Sequence, residues 1–323
     1  MRIIHGLDRI QQDVPYPVLT IGNFDGVHRG HQALLRSVIE RARACRGTAA
    51  VLTFDPHPLK ILAPDRAPQQ IQTLEQRVDS LAAEGIDLLY LVSFTPEVMR
   101  IGAEEFAAEY LARRMGVREL VVGRHFVFGR DRRGDLEFLR RRGAGLGFTV
   151  REVGELCYRG DRISSTRVRS LLAAGQVSLA ARCMGRPPSL VGTVVHGSTR
   201  GRELGFPTAN LEVVNELIPA NGVYITRARF DGIDYRGLTN IGHRPTISAL
   251  SEHAERPVIE THLLDFDGDL YGRRIELSFY LRLRSEKRFP SVRRLVEQIA
   301  NDQNKALRFF AWCEGRPAVK GLS

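Results

Sequence analysis

Cysteine is scarce: Cys45, Cys157, Cys183 and Cys313 are the only four in 323 residues, and no two of them form a C-x-x-C pair. That scatter argues against a disulfide framework and against a zinc ligand set, and isolated thiols fit a reducing cytosol. Long apolar runs are also missing. The densest, residues 86–92, is interrupted by Asp87 and has the length of a strand, far short of the roughly 18 apolar residues of a membrane span. The opening Met1-Arg2-Ile3-Ile4-His5-Gly6 carries no apolar segment of secretory length. A cytoplasmic protein without a membrane partner is therefore expected. Lysine is nearly absent, occurring as Lys60, Lys287, Lys305 and Lys320, so arginine carries the net charge of +10. Such a balance suits nucleic acid or small anions such as ATP. The densest clusters, Arg130 to Arg133 and Arg140 to Arg142, read as solvated helix faces. No interleaving of aromatic and basic residues marks an RNA surface, so no nucleic-acid partner is expected. Internal repeats and low-complexity segments are absent.

What is present suffices for two cores: 43% of the residues are hydrophobic and 26% charged, an ordinary globular mix, and the length suggests about two domains. The first half alternates strand and helix signals. Residues 18–21, 49–54, 87–94 and 119–123 read as strands. Leu34, Leu35, Val38, Ile39 and Ala42 share one helix face, and residues 73–84 and 103–115 read as further helices. Alternation of this kind predicts a Rossmann-like α/β domain with a parallel sheet, whose ligands bind beyond the carboxyl ends of the strands. Short helices are expected at 165–174 and 177–184, then a linker at Gly185-Arg186-Pro187-Pro188. Residues 190–195, 222–230, 235–241, 258–266 and 273–283 read as strands separated by turns, which predicts a small antiparallel β-barrel. A helix over 291–301 follows. The expected domains are 1–184 and 185–323.

The sharpest local signal is Gly22-Asn23-Phe24-Asp25-Gly26-Val27-His28-Arg29-Gly30-His31, which follows a strand and opens a helix. Its glycines allow close backbone approach, and a helix start offers free N–H groups and a positive dipole end to a phosphate. His28 and His31, three apart, share a helix face and could donate hydrogen bonds to phosphate oxygens as charge builds there. The plainer alternative is a turn followed by a capped helix. In Arg162-Ile163-Ser164-Ser165-Thr166-Arg167-Val168-Arg169 the hydroxyls could cap the next helix, or Ser165, Thr166 and the arginines could grip a triphosphate; both can hold.

These segments, with Thr53-Phe54-Asp55-Pro56-His57-Pro58 and Val122-Gly123-Arg124-His125-Phe126-Val127-Phe128-Gly129, resemble the bifunctional riboflavin kinase/FMN adenylyltransferase (FAD synthetase) family of bacteria. The resemblance implies transfer of AMP from ATP to the phosphate of FMN, with release of pyrophosphate. It implies that Gly22, Asn23, Phe24, Asp25, Gly26, His28, His31, Arg162, Ser165 and Thr166 form the ATP site, with His28 and His31 catalytic. It also places Phe54, His57, His125 and Phe128 near the flavin. Family members usually carry Asp or Asn where this chain has His125, a departure that bears on FMN binding.

In the second half, four glycines lie within fourteen residues between Gly192 and Gly205, with no G-K-[ST] of a P-loop. Thr208 and Asn210 carry oxygens suited to Mg²⁺ and fall on one side of an extended segment. Glu260 interrupts a strand-like run; it is either an outward polar position or an inward carboxylate acting as general base. The segments Gly205 to Leu211, Asn240 to Thr246, Glu260 to Phe266 and Asp269 to Gly272 resemble the riboflavin kinase module in order and spacing. By that resemblance Gly197, Gly201, Arg202, Gly205, Pro207, Thr208 and Asn210 bind ATP, Thr208 and Asn210 hold Mg²⁺, and Glu260 activates the ribityl hydroxyl. The resemblance as a whole implies an enzyme that makes FMN and then FAD, with ATP and Mg²⁺ used in both steps.

Overall fold

The computed structural model describes residues 1–11, 14–197, 205–242 and 257–315. They form two compact units, Met1–Arg167 and Val168–Ser323.

The first unit is built on a six-stranded sheet of β1 (Arg2–His5), β2 (Pro17–Ile21), β3 (Thr48–Phe54), β4 (Leu88–Val92), β5 (Glu119–Gly123) and β6 (Thr149–Val153). Their order is β1-β4-β3-β2-β5-β6, and every neighbouring pair is parallel. Chain direction across the sheet reverses around β2, which lies between β3 and β5, so the crevice beyond its carboxyl end is the natural ligand position. The inner strands are apolar on both faces: Leu19, Leu52, Tyr90 and Val122 pack to one side, and Val18, Val51, Leu89 and Val121 to the other. Such strands read as continuous hydrophobic runs, which is why the sequence predicts all four. The two strands of this sheet that the sequence does not predict, β1 and β6, are its edges. Each exposes most of its residues, so neither carries an apolar run to betray it.

Helices cover the sheet. On α1 (Arg29–Ala44), Leu34, Leu35, Val38 and Ala42 are buried. After α2 (Pro58–Leu62) comes α3 (Leu74–Ala83), which starts with a reciprocal capping box between Thr73 and Gln76. α4 (Pro96–Arg100) and α5 (Ala103–Glu105) follow, and α5 continues as a π-helix over Phe106–Arg114 rather than as the regular helix expected for 103–115. α6 (Leu136–Leu146) carries the exposed Arg140 to Arg142; Arg130 to Arg133 are exposed as well, in and after a 3₁₀ turn. A hairpin of β7 (Cys157–Tyr158) and β8 (Asp161–Arg162) leads into α7 (Ser165–Ala173) and α8 (Val177–Met184).

At the amino-terminal end of β5, Glu119 is buried. Its carboxylate accepts from Arg41 Nε at 2.8 Å and from the Tyr16 hydroxyl at 3.3 Å. The hydrogen bond from Arg41 holds this carboxyl below the ordinary Glu range, against the opposing pull of burial. A depressed carboxylate contributes stability above the unfolded-state value and loses it as pH falls through the folded one. Glu119→Gln should therefore melt a few degrees below wild type at pH 7. The gap should close on acidification below about pH 4.3, as followed by thermal denaturation across pH.

In the second unit β9 (Ser189–Val195), β10 (Ala209–Val213), β11 (Gly222–Phe230), β12 (Ile233–Gly242), β13 (Val258–Leu263) and β14 (Arg274–Arg284) close a barrel in the order β10-β13-β12-β11-β14-β9. All pairs are antiparallel. Gly185, left-handed at φ 77°, ends α8, and Ser178 on that helix donates to the Tyr280 carbonyl at 2.7 Å, so α8 is tied to β14. The last helix, α9 (Val292–Glu314), runs thirteen residues beyond the expected end at 301. Its buried stripe is Asp302, Ala306 and Phe310. A carboxylate opens that stripe because Arg284 on β14 donates to Asp302 at 2.7 Å, a pairing hydropathy cannot reveal. Val292, the first residue of the expected apolar side, is exposed.

Candidate active sites

The fold gathers the first group of motifs at one edge of the parallel sheet. Gly22 to His28 follow β2, Asp55 to His57 follow β3, and Arg124 to Phe128 follow β5. The loop after β2 is held under backbone strain. Phe24 (φ 50°) and Val27 (φ 34°) are left-handed, a conformation costing on the order of 1–3 kcal/mol per residue and concentrated at functional sites. Both side chains are buried, which anchors the strained loop in the core. Gly26 (φ 83°) cannot be exchanged freely: a Cβ there would stand 3.0 Å from Ile71 Cδ1.

His28 is the N-cap of α1, and its Nδ1 accepts the backbone N–H of His31 at 3.2 Å. The ring proton therefore sits on Nε2, where it can donate to a ligand. The His31 ring stacks on it with centroids 3.7 Å apart and planes 15° from parallel, and Phe24 supports His31 from below at 5.1 Å. Two imidazoles thus stand together at the amino end of a sixteen-residue helix, where the dipole favours an anion.

Phe24 and Asp25 serve this loop from inside. The Asp25 carboxylate accepts from the backbone N–H of Ile71 at 3.0 Å and of Gln72 at 3.2 Å, and its carbonyl accepts from the Ser165 hydroxyl at 2.8 Å. That last bond brings the Arg162–Arg169 motif to the loop. The cap of α7 is Ser164, whose hydroxyl accepts from Arg167 N–H at 3.2 Å, so Ser165 and Thr166 lie in the first turn, with Thr166 exposed.

The residues expected near the flavin stand at the end of β3 and in the loops after β3 and β5. His57 caps α2, accepting from Leu59 N–H at 3.1 Å, and its Nε2 lies 2.9 Å from the Asn23 side-chain amide. Phe54 meets Phe94 edge-on at 5.5 Å, while Phe128 packs among Phe106, Phe126 and Phe138. His125 is exposed and pairs with Glu155 at 3.0 Å, and Arg162 bonds the same Glu155 oxygen at 2.6 Å.

Sequence reasoning missed Glu155, and it missed Arg77. Arg77, buried on α3, donates to the carbonyls of Asn23 and Phe54, both at 3.1 Å, and to Asp55 at 3.3 Å. It therefore fastens the loop after β2 to the loop after β3. Burial pushes its guanidinium below the ordinary arginine value, with Asp55 and Asp25 opposing. Its one sequence signal is an arginine on the sheet-facing side of an amphipathic helix.

In the barrel, Asn210 on β10, Glu260 on β13 and Asn240 on β12 are direct cross-strand partners. They form one polar rung on one face, with side chains of adjacent members about 5 Å apart at Cβ. Glu260 is half-buried, and it alternates with Ile259, Thr261 and Leu263, which fill the core. The carboxylate therefore stands on the outer face of the barrel wall and not inward, because the strand's period of two assigns the inside to its neighbours. Asn210 is buried, yet its Oδ1 has no hydrogen-bond partner among the described residues. Gly197 comes so close that a Cβ there would lie 2.0 Å from Asn210 Nδ2. Thr208, half-buried, precedes β10 by one residue, and Gly205 and Pro207 are exposed. Gly201, Arg202 and the segment His243 to Thr246 lie outside the described residues.

Two family models match the chain: FAD synthetase over residues 10–167 and riboflavin kinase over residues 184–310. A bifunctional riboflavin kinase/FMN adenylyltransferase of Pseudomonas fluorescens is 39% identical over 302 residues, 94% of this chain and 96% of that one. Its counterpart in Escherichia coli K12 is 39% identical over 315 residues, covering 96% and 98%, and that of Bacillus subtilis is 34% identical with the same coverage. A crystal structure from Streptococcus pneumoniae, described as a macrolide-efflux protein, superposes with a TM-score of 0.84 at 30% identity over 94% of this chain and 98% of that one. No helix among the described residues here is long and apolar enough to cross a membrane.

Proposed function

Because the chain belongs to the bifunctional riboflavin kinase/FMN adenylyltransferase family, we propose that its two ATP-dependent reactions run at the two sites described above. Phosphorylation of riboflavin to FMN is assigned to the barrel half, residues 185–323. Adenylyl transfer to FMN, giving FAD and pyrophosphate, is assigned to the parallel-sheet half, residues 1–184.

The observation that carries the adenylyltransferase assignment is the stacked His28–His31 pair at the start of α1. As the FMN phosphate attacks the α-phosphorus of ATP, negative charge builds on the departing pyrophosphate. His28 Nε2–H and His31 are set to donate to those oxygens, and donors fixed in place before the reaction stabilise such charge far better than mobile water does. Gly22, Asn23 and Gly26 shape the backbone of the cradle, Phe24 and Asp25 hold it from within, and Arg162, Ser165 and Thr166 close it from the other side. Phe54, His57, His125 and Phe128 form the flavin side. Glu155, shared by His125 and Arg162, links the two.

In the barrel, Glu260 takes the proton of the ribityl 5′-hydroxyl while that oxygen attacks the γ-phosphorus and ADP leaves. The orphaned Asn210 Oδ1, with Thr208 two residues earlier, fits a hard cation. Mg²⁺ held there would neutralise charge on the transferred phosphoryl group. Gly197, Gly201, Arg202, Gly205 and Pro207 complete the ATP-binding segment. The isolated cysteines support a reducing, cytoplasmic location, and the substrates are the small molecules riboflavin, FMN and ATP.

Chromatography of products formed from riboflavin, ATP and Mg²⁺ tests the reading: FMN should appear first and FAD later. Failure of FMN plus ATP to yield FAD would remove the adenylyltransferase assignment. Arg77→Ala should leave the Asn23 and Phe54 carbonyls without this donor, at a cost of about 2 kcal/mol in stability. It should also raise the KM for FMN, while kinase turnover is retained. Melting curves and separate assays of the two reactions read both effects.

A further inference from the structure

We propose that His262 is a positioning residue of the kinase site, fixing the metal-binding segment 207–210 to the strand that carries Glu260; the proposal rests on the kinase reading of the barrel given above. The ladder between β10 and β13 begins at the pair Ala209↔Thr261. Two residues before Ala209 stands Pro207, which has no N–H to give a neighbouring strand and whose carbonyl still needs a donor. His262 supplies it, with Nδ1 2.7 Å from the Pro207 carbonyl oxygen. A carbonyl can only accept, so the imidazole proton sits on Nδ1. Phe206 adds a second hold, its ring meeting the imidazole edge-on at 5.8 Å and 83°. Gly205, left-handed at φ 82°, turns the chain just before.

The consequence follows from strand geometry. His262 and Glu260 are two apart on β13, so both side chains leave the same outer face. Glu260 pairs across with Asn210, and His262 grips the carbonyl of the residue before Thr208. One strand thus bears the carboxylate and the anchor of both Thr208 and Asn210. Without the anchor, the segment before Ala209 is free of the ladder, and Thr208 loses its fixed place relative to Asn210.

The test uses the full chain and reads the Mg²⁺ requirement twice, from FMN formation with riboflavin and ATP as Mg²⁺ is titrated and from calorimetric titration of Mg²⁺ into the protein with ADP in the absence of turnover. The variants are His262→Leu, His262→Asn and His262→Gln. Asn places its amide N–H close to where Nδ1 stands; Gln reaches toward Nε2 instead. His262→Leu and His262→Gln should raise the half-saturating Mg²⁺ about tenfold, the effect of one lost hydrogen bond, and His262→Asn should return it to within about threefold of wild type. FMN-to-FAD conversion by the same preparations reports that the protein is folded. Lowered turnover or melting temperature with an unchanged Mg²⁺ requirement in every variant would overturn the proposal, since a merely structural role predicts that pattern. If His262→Leu does not fold, the Asn and Gln variants decide, and equal Mg²⁺ requirements in those two overturn it. Absence of FMN formation by the wild-type chain would instead strike the kinase reading itself.

Discussion

Glu260→Gln should lower FMN formation from riboflavin by on the order of 10²–10⁴-fold, the usual worth of a general base. Conversion of FMN to FAD should stay within about twofold of wild type, as expected for independent sites. The amide keeps the size of the carboxylate and its place in the Asn210–Glu260–Asn240 rung, so the loss should fall on kcat while the KM for riboflavin holds. Separate assays of each half-reaction on one preparation give the answer. Loss of both reactions in a folded variant would sink the two-site reading.

The mirror experiment is His28→Ala, for which FAD formation should fall by about 10²–10³-fold with kinase activity intact. Two roles of His28 must be separated, because its Nδ1 also caps α1 through the His31 N–H. Loss of that cap costs about 1 kcal/mol and could by itself disturb the loop. His28→Asn restores a capping acceptor but has no Nε2–H, so it should recover stability and not activity. Full FAD synthesis by the Asn variant would show that the imidazole matters as a cap and not as a donor to phosphate.

His28 illustrates how much of the candidate site was legible in the sequence. The H-x-G-H spacing after an apolar strand already placed two imidazoles at a helix start, since a helix brings residues three apart together. The inner strands were legible because burial on both faces leaves an unbroken apolar run. The edge strands β1 and β6 were not, since a strand that faces water on one side and lacks a neighbour keeps polar residues. The continuation of α9 past residue 301 was hidden by Asp302, a charge made compatible with burial by Arg284 eighteen positions away. For Glu260 the alternation of its strand was readable, yet which face was the core was not.

The sequence by itself determined the chemistry. It specified the inner strands of the parallel sheet, the glycine-rich turn that meets a helix start, and which two ordered sets of motifs occur, because these depend on neighbours within a few residues and on periods of two and 3.6. Tertiary structure alone decided which residues meet. Arg77 reaches Asn23 across 54 positions, the Ser165 hydroxyl reaches the Asp25 carbonyl across 140, and His262 reaches Pro207 across 55. Side-chain hydrogen bonds over such separations have no period and leave no local trace. They come into being when sheet order and barrel register bring distant loops to the same edge, and it is there that the sites are completed.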